Sequence, residues 1–131
     1  MTKRIVAYIW LWTPVVIWMG IIFYASSISG QDVPSIDIPN IDKLFHFVEY
    51  LALGYLLARA FFNSAAKPDY KHIFIASAAI AFLYGASDEF HQLFVSQRSC
   101  DAIDLIFDLA GGCAGAWISL YKENLPTGRQ E

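Results

Sequence analysis

Four long apolar stretches constrain the fold of this 131-residue chain more than any other feature. A helix that crosses about 30 Å of hydrocarbon needs about 20 residues, because each residue adds about 1.5 Å. Each stretch is close to that length, and with their connections they take up the whole chain. The sequence therefore predicts an all-α integral membrane four-helix bundle that forms a single domain over residues 1–131. The predicted spans are about residues 5–24, 43–62, 73–94 and 102–121.

The composition agrees with a membrane location. Hydrophobic residues make up 56% of the chain and charged residues 16%, whereas soluble domains carry about 25% charged residues. Nine of the 12 Asp and Glu residues lie at one end of the predicted bundle. Such an acidic surface repels phosphate backbones, so we expect no nucleic-acid partner. The lipid bilayer is the expected partner, and the oligomeric state is left open.

The basic residues predict how the chain is oriented. Seven of the nine Lys and Arg residues lie on one side of the four spans, and only Lys43 and Arg98 lie on the other. Short connections rich in Lys and Arg stay in the cytoplasm. We therefore expect both termini to be cytoplasmic and the loops of residues 26–41 and 95–100 to face outward. The seven inner residues are Lys3, Arg4, Arg59, Lys67, Lys71, Lys122 and Arg129.

The first apolar stretch has a second interpretation as a secretory signal peptide. Lys3 and Arg4 precede it, and the small residues at 25–27 are typical of a cleavage site. Its apolar run is longer than the 7–15 residues of a signal core and contains Trp10 and Trp18. This length favours a retained membrane helix.

Small residues recur four positions apart on three of the predicted helices. In lipid, where apolar burial drives no association, such positions let helix backbones approach closely. We expect them to form helix contacts inside the bundle, with homodimerisation as the alternative. The pairs are Gly54 with Ala58, Ala81 with Gly85, and Gly111 with Gly115.

Polar residues collect at the predicted outer end of the second, third and fourth spans. Asp42, His46 and Glu49 have i, i+4, i+7 spacing, which places them on one helix face. An ionised side chain at the centre of a membrane helix costs about 2.5–3.5 kcal/mol, so such groups normally face a bundle interior or a cavity. We expect one outward-opening cavity between the second, third and fourth helices, while the first helix mainly packs. The remaining polar residues at this end are Lys43, Asp88, Glu89, His91, Gln92, Arg98, Asp101, Asp104 and Asp108.

Structural roles are also open for several of these residues. Asp42 and Asp101 stand where an N-cap would satisfy free helix amides. Lys43 can extend its ammonium group to the membrane interface, and His91 falls at the interface, where a histidine needs no special role. Arg98 is the expected counter-ion for the carboxylates of the third and fourth helices. The other polar residues could serve only to orient the helices.

Three linked motifs resemble the VanZ-like family of small bacterial membrane proteins, named for a member linked to teicoplanin resistance. They are Asp42-Lys43-x-x-His46-Phe47-x-x-Tyr50-x-x-Leu53-Gly54, then Asp88-Glu89-Phe90-His91-Gln92-Leu93-Phe94-Val95 with Arg98, and Asp104-x-x-x-Asp108-x-x-Gly111. The resemblance covers about residues 1–121. It implies a protein of the cell (inner) membrane with a role at the cell envelope. The chain departs from the family at Asp108, where Asn is usual.

Two functions compete at this point. The first is binding or modulation of an anionic envelope ligand, such as a lipid-linked precursor, a lipid headgroup or a glycopeptide target. The second is an intramembrane hydrolase or transferase with His46, Asp88 and Glu89 as catalytic candidates, without a required cofactor or with a divalent metal held by carboxylates. A proton-coupled transporter is a third alternative. The predicted ligand-binding residues are Asp42, Lys43, His46, Glu49, Asp88, Glu89, Gln92, Arg98, Asp104 and Asp108.

Overall fold

A computed structural model describes residues 2–32 and 39–124. These residues form four helices, a short 3₁₀ turn at Gly30–Asp32 and no strand, which confirms the predicted all-α class. Each helix is long and apolar enough to cross a membrane. Residues 33–38, which form part of the predicted 26–41 loop, and Arg129 lie outside the described residues. The helices are α1 at Thr2–Ser27, α2 at Ile41–Ser64, α3 at Tyr70–Gln92 and α4 at Ala102–Asn124.

The helices alternate in direction through the bundle. At one end, the end of α1 meets the end of α3, where Ser27 Oγ lies 3.0 Å from His91 Nε2. At the other end, Tyr8 near the start of α1 donates a 2.9 Å hydrogen bond to the carbonyl of Ser64 at the end of α2. We call the first end the polar end, because it holds the polar residues noted above. The start of α1 and the end of α4 both lie at the opposite end.

Two helices begin with an aspartate cap. The Asp69 carboxylate accepts the His72 N–H at 3.0 Å at the start of α3, and Asp101 accepts the Ile103 N–H at 2.8 Å at the start of α4. These amides have no partner within their helices, so each carboxylate satisfies a free donor. The N-cap interpretation is therefore confirmed for Asp101. It is wrong for Asp42, which lies in the first turn of α2 after Asn40, the residue at the cap position.

Helix α4 packs against α2 through glycines. A Cβ on Gly54 would collide with the Gly112 backbone, and a Cβ on Gly111 or Gly115 would collide with the backbone of α2. On α3, a Cβ on Gly85 would lie 2.7 Å from Asp108 Oδ2. The small residues thus make helix contacts inside the bundle, as predicted, because backbones approach more closely than any side chain would permit.

Helix α1 packs on α2 and α3 and makes no contact with α4 within the described residues. Val15 and Ile22 are its buried apolar side chains. Trp18 Nε1 donates to the carbonyl of Glu49 at 2.9 Å, and the Tyr84 hydroxyl donates to the carbonyl of Met19 at 2.6 Å. Most of its large apolar side chains are exposed, so this helix offers the bilayer a broad apolar surface.

A divided polar site at one end of the bundle

Lys43 is the centre of an ion cluster between α2 and α4, formed with Asp42, Asp101 and Asp104. Its Nζ lies 2.8 Å from Asp104 Oδ1, 3.0 Å from Asp101 Oδ2 and 3.3 Å from Asp42 Oδ2. The Lys43 side chain is 13% exposed and that of Asp104 is 9% exposed. Three carboxylates thus occupy the three donors of the ammonium group. Lys43 stabilises the start of α4 here and does not extend freely to the interface.

Asp101 belongs both to this cluster and to the cap of α4. Its pKa is lowered by the hydrogen bond from the Ile103 N–H and, next, by the hydrogen bond from the Lys43 ammonium group. Both partners favour the ionised carboxylate. The Asp101 backbone N–H in turn donates to Glu89 Oε2 at 2.9 Å. Through these bonds, one residue connects the starts of α2 and α4 with the end of α3.

His46 and Asp108 form a second polar pair deeper in the bundle. His46 Nδ1 lies 2.9 Å from Asp108 Oδ1, and His46 Nε2 lies 3.8 Å from Asp104 Oδ2. Asp108 is completely buried, and Gly85 supplies the space that its Oδ2 occupies. His46, Glu89 and Asp108 can each offer one donor atom such that all three atoms lie within 4.8 Å of one another. These are the described residues best placed to hold a metal ion.

A cleft of about 400 Å³ opens beside this network, toward α1. Its walls come from the end of α1, the start of α2, the end of α3 and the loop that holds Arg98. Apolar and polar side chains both face it. The lining residues are Ala25, Ser26, Ile28, Asp32, Ile41, Asp42, Phe45, His46, Glu49, Asp88, Gln92 and Arg98.

The polar groups in the wall of the cleft are only partly satisfied. Gln92 Nε2 donates to Asp88 Oδ2 at 3.3 Å, and both residues are buried. Asp88 Oδ1 is buried and has no hydrogen-bond partner. A buried oxygen without a partner loses its hydration and gains nothing in return. Asp88 therefore retains the capacity to accept or share a hydrogen from a ligand in the cleft.

Arg98 bonds to the end of α1 instead of to carboxylates. Its Nε donates to the Ile28 carbonyl at 3.1 Å, and one terminal nitrogen donates to the Ala25 carbonyl at 3.4 Å. No carboxylate of α3 or α4 lies within ion-pair distance of it. The prediction that Arg98 neutralises those helices is wrong, and Lys43 has that role for α4. The end of α1 attracts Arg98 because its last carbonyls have no partners within the helix.

The loops at the polar end set the position of Arg98. The Gly30 N–H donates to the Ser96 carbonyl at 3.1 Å, and a Cβ on Gly30 would collide with the carbonyl of Gln97. Gln97 itself has a left-handed backbone, with φ of 57°. These contacts join the segment after α1 to the segment after α3.

The predicted cavity between the second, third and fourth helices differs from the cleft that is observed. Six of the ten predicted ligand-binding residues line the cleft, whereas Lys43, Glu89, Asp104 and Asp108 lie outside its lining. The end of α1 forms a wall that the sequence did not reveal, because Ala25 and Ile28 lie just past the predicted first span and carry no polar side chain. The six residues that do line the cleft are Asp42, His46, Glu49, Asp88, Gln92 and Arg98.

Two other residues have roles that the sequence left open. His91 stacks on Phe23 with ring centroids 4.7 Å apart and contacts Ser27, so it joins α3 to α1 and lies outside the ion cluster. Tyr50 is completely buried, and its hydroxyl has no hydrogen-bond partner. In the sequence, Tyr50 is marked by its position within the Tyr50-x-x-Leu53-Gly54 motif. An aromatic residue in a span does not by itself indicate a polar role, so the sequence did not predict the buried hydroxyl.

The architecture and the polar end define the chain as a multi-pass membrane protein of four helices. The VanZ/LLP1 family model matches residues 11–123, which is most of the chain. The chain therefore belongs to the VanZ/LLP1 family, which confirms the resemblance found in the sequence. No curated protein and no solved structure gave a significant match.

Proposed function

We propose that this membrane protein binds an anionic lipid headgroup or lipid-linked envelope precursor in the cleft between α1, α2 and α3. The supporting observation is the position of Arg98 in the wall of a cleft that also has apolar walls. Arg98 uses two of its five N–H donors on backbone carbonyls. The remaining donors suit the paired oxygens of a phosphate or carboxylate.

The shape and lining of the cleft suit an amphiphilic ligand. Phe45, Ile41 and Ile28 supply apolar surface, against which the first part of a lipid tail can pack. Glu49 and Asp88 offer carboxyl oxygens to hydroxyl or amide N–H groups of a headgroup. A sugar or peptide carried by a lipid phosphate has these groups together.

Lys43 is excluded from this role by its contacts. Its ammonium group is surrounded by three carboxylates, and it does not line the cleft. His46 reaches the cleft but already has Asp108 on one ring nitrogen. Arg98 is therefore the residue on which we place recognition of the anion. Because lipid-linked wall precursors are the targets of glycopeptide drugs, binding of such a ligand would connect this chain to teicoplanin resistance.

A matched pair of lipids tests the proposal. Protein in nanodiscs is titrated with a polyprenyl monophosphate and with the corresponding neutral polyprenol, and binding is followed by native mass spectrometry. We expect the phosphate to bind at least about 10-fold more tightly, which corresponds to about 1.4 kcal/mol. Arg98→Gln should remove this preference. Arg59→Gln, which removes an exposed cation from the span of α2 outside the cleft, should leave it unchanged.

Equal affinity for the two lipids would refute recognition of an anion. An unchanged preference in Arg98→Gln would refute the assignment of that recognition to this residue. Recovery of the preference in Arg98→Lys would show that charge alone suffices. Loss of the preference in both Arg98→Gln and Arg98→Lys would show that bidentate hydrogen bonding by the guanidinium group is required.

The orientation of the cleft forms part of the same proposal. Cys100 is exposed and two residues from Arg98, while Cys113 lies within α4. If the polar end faces outward, a membrane-impermeant maleimide should label Cys100 in intact cells and leave Cys113 unlabelled. Labelling of Cys100 only after lysis would place the cleft on the cytoplasmic side.

The catalytic alternative has one observation in its favour. The contact between His46 and Asp108 resembles a base held by an orienting acid. However, the side-chain partners of His46 among the described residues are carboxylates, with no hydroxyl or thiol group in hydrogen-bond contact. The arrangement lacks an activated protein nucleophile. Ligand binding is therefore the better supported function.

A further inference from the structure

We infer that His46, Glu89 and Asp108 form a binding site for one divalent transition-metal ion behind the cleft. One nitrogen of His46 and one carboxyl oxygen each from Glu89 and Asp108 lie within 4.8 Å of one another. Ligand atoms about 2.0–2.2 Å from a metal are at most about 4.4 Å apart. Small side-chain movements would therefore bring the three atoms into one coordination sphere.

Unpartnered oxygens provide an independent reason for a ligand at this place. Asp108 is 0% exposed and Glu89 is 3% exposed. Asp108 Oδ2 and Glu89 Oε1 are both buried without a hydrogen-bond partner. Each of these residues uses its other oxygen in the protein, on His46 and on the Asp101 N–H respectively. The free oxygens thus have lone pairs available within an otherwise closed interior.

The charges around the site favour a cation. The nearest lysine, Lys43, is bound to Asp42, Asp101 and Asp104 and forms no ion pair with Glu89 or Asp108. Buried carboxylates at membrane depth are stable only with a proton or a positive partner. A divalent ion would neutralise both carboxylates at once.

The donor set selects the kind of ion. One imidazole and two carboxylates suit Zn²⁺ and the other first-row transition metals better than Ca²⁺ or Mg²⁺, which prefer oxygen ligands alone. Three protein ligands also leave a coordination position open, as in zinc sites that bind water or substrate. His46 is the only one of the three that also lines the cleft, so an open position would be reached from its side.

This inference does not depend on the proposed lipid ligand. Glu89 and Asp108 lie outside the lining of the cleft, and the probe is the metal alone. The purified full chain in detergent is freed of metal with a chelator, incubated with Zn²⁺ and dialysed, and its metal content is measured by mass spectrometry. We expect about one Zn²⁺ per chain, because the donor atoms form a single group.

Two conservative variants assign the ligands. Removal of a residue that only hydrogen-bonds to a metal ligand lowers metal affinity about 10–100-fold. Glu89→Gln and Asp108→Asn each remove a ligand itself, so each should weaken Zn²⁺ binding by at least about 100-fold. Glu123→Gln makes the same chemical change at an exposed residue of the opposite end and should bind as the wild type does. Co²⁺ should give visible absorption bands in the wild type that change in both ligand variants.

Folding is monitored separately through the melting temperature of the metal-free proteins. A folded wild-type protein that retains no Zn²⁺ after dialysis would overturn the inference. So would wild-type affinity in both Glu89→Gln and Asp108→Asn. If one variant does not fold, the wild-type metal content and the cobalt spectrum of the other variant still decide the outcome.

Discussion

The two sides of α2 use similar residues in opposite ways. Toward α4, glycines bring the backbones together and Lys43 is enclosed by carboxylates. Toward α1 and α3, the same helix borders a cleft that Glu49, Asp88 and Arg98 all line, and there Arg98 bonds to backbone carbonyls instead of to the carboxylates. On the closed side the lysine is fully paired within the protein, whereas on the open side Arg98 retains donors and Asp88 retains an oxygen without a partner.

This difference shows that charge in a membrane helix does not by itself identify a binding site. Lys43 and Arg98 are the two basic residues at the polar end, and both were candidates for ligand recognition. The lysine is fully engaged within the protein, because three carboxylates surround its ammonium group. The arginine retains donors, since backbone carbonyls occupy only part of its guanidinium group.

The largest expected effect comes from breaking the closed side. Lys43→Met keeps the apolar stem and removes the charge, so the nearly buried Asp104 loses its ion pair with the lysine at 2.8 Å. Removal of one partner from a buried pair costs about 3–5 kcal/mol, and we expect about 3 kcal/mol here because Lys43 keeps some exposure. The free energy of unfolding is measured by SDS titration in mixed micelles.

Lys71→Met is the control for this change, because Lys71 is exposed at the opposite end of the bundle. It should leave the free energy of unfolding within about 0.5 kcal/mol of the wild type. Equal stability of the Lys43 and Lys71 variants would contradict the view that the ion cluster holds α2 and α4 together.

A smaller effect is expected from the glycine contact on the same side. Gly115→Ala adds a Cβ that would meet the backbone of Leu51 and Tyr55, so the two helices must move apart. Overpacking of this kind costs about 1–3 kcal/mol. Gly20→Ala on α1 is the matched control, because its Cβ would have no atom within 4 Å. Thermal unfolding in detergent compares the two, and a similar melting temperature for both would show that the α2–α4 contact is not tight.

The smallest effect on stability is expected on the open side. Arg98→Gln removes two hydrogen bonds to the end of α1, at 3.1 and 3.4 Å, and leaves no ion pair broken. We expect a loss of only about 1 kcal/mol for the two bonds together, because one of them is long and Arg98 is partly exposed. The same SDS titration that measures Lys43→Met gives this value. A loss as large as that of Lys43→Met would mean that Arg98 supports the fold as strongly as the ion cluster does.

The helices themselves were predictable because span length and apolar content follow from local sequence. The predicted spans fall within or close to the four observed helices, and their ends differ by a few residues: most helices extend past the apolar run, whereas α3 ends at Gln92, before the predicted end of its span. The glycine contacts were equally accessible, since a four-residue spacing places small residues on one face. The seven-to-two distribution of basic residues still predicts cytoplasmic termini, which labelling of Cys100 can check.

The sequence by itself also determined which polar residues share the polar end, because helical spacing fixes the depth and face of each side chain. Only the tertiary structure decided which of these residues belong to the ion cluster and which line the cleft. The rotation of α2 places Lys43 toward α4 and Glu49 toward the cleft, and the end of α1 takes Arg98 away from the carboxylates. Which partner a charge finds depends on how neighbouring helices rotate and where loops return, and these follow from packing across the whole bundle.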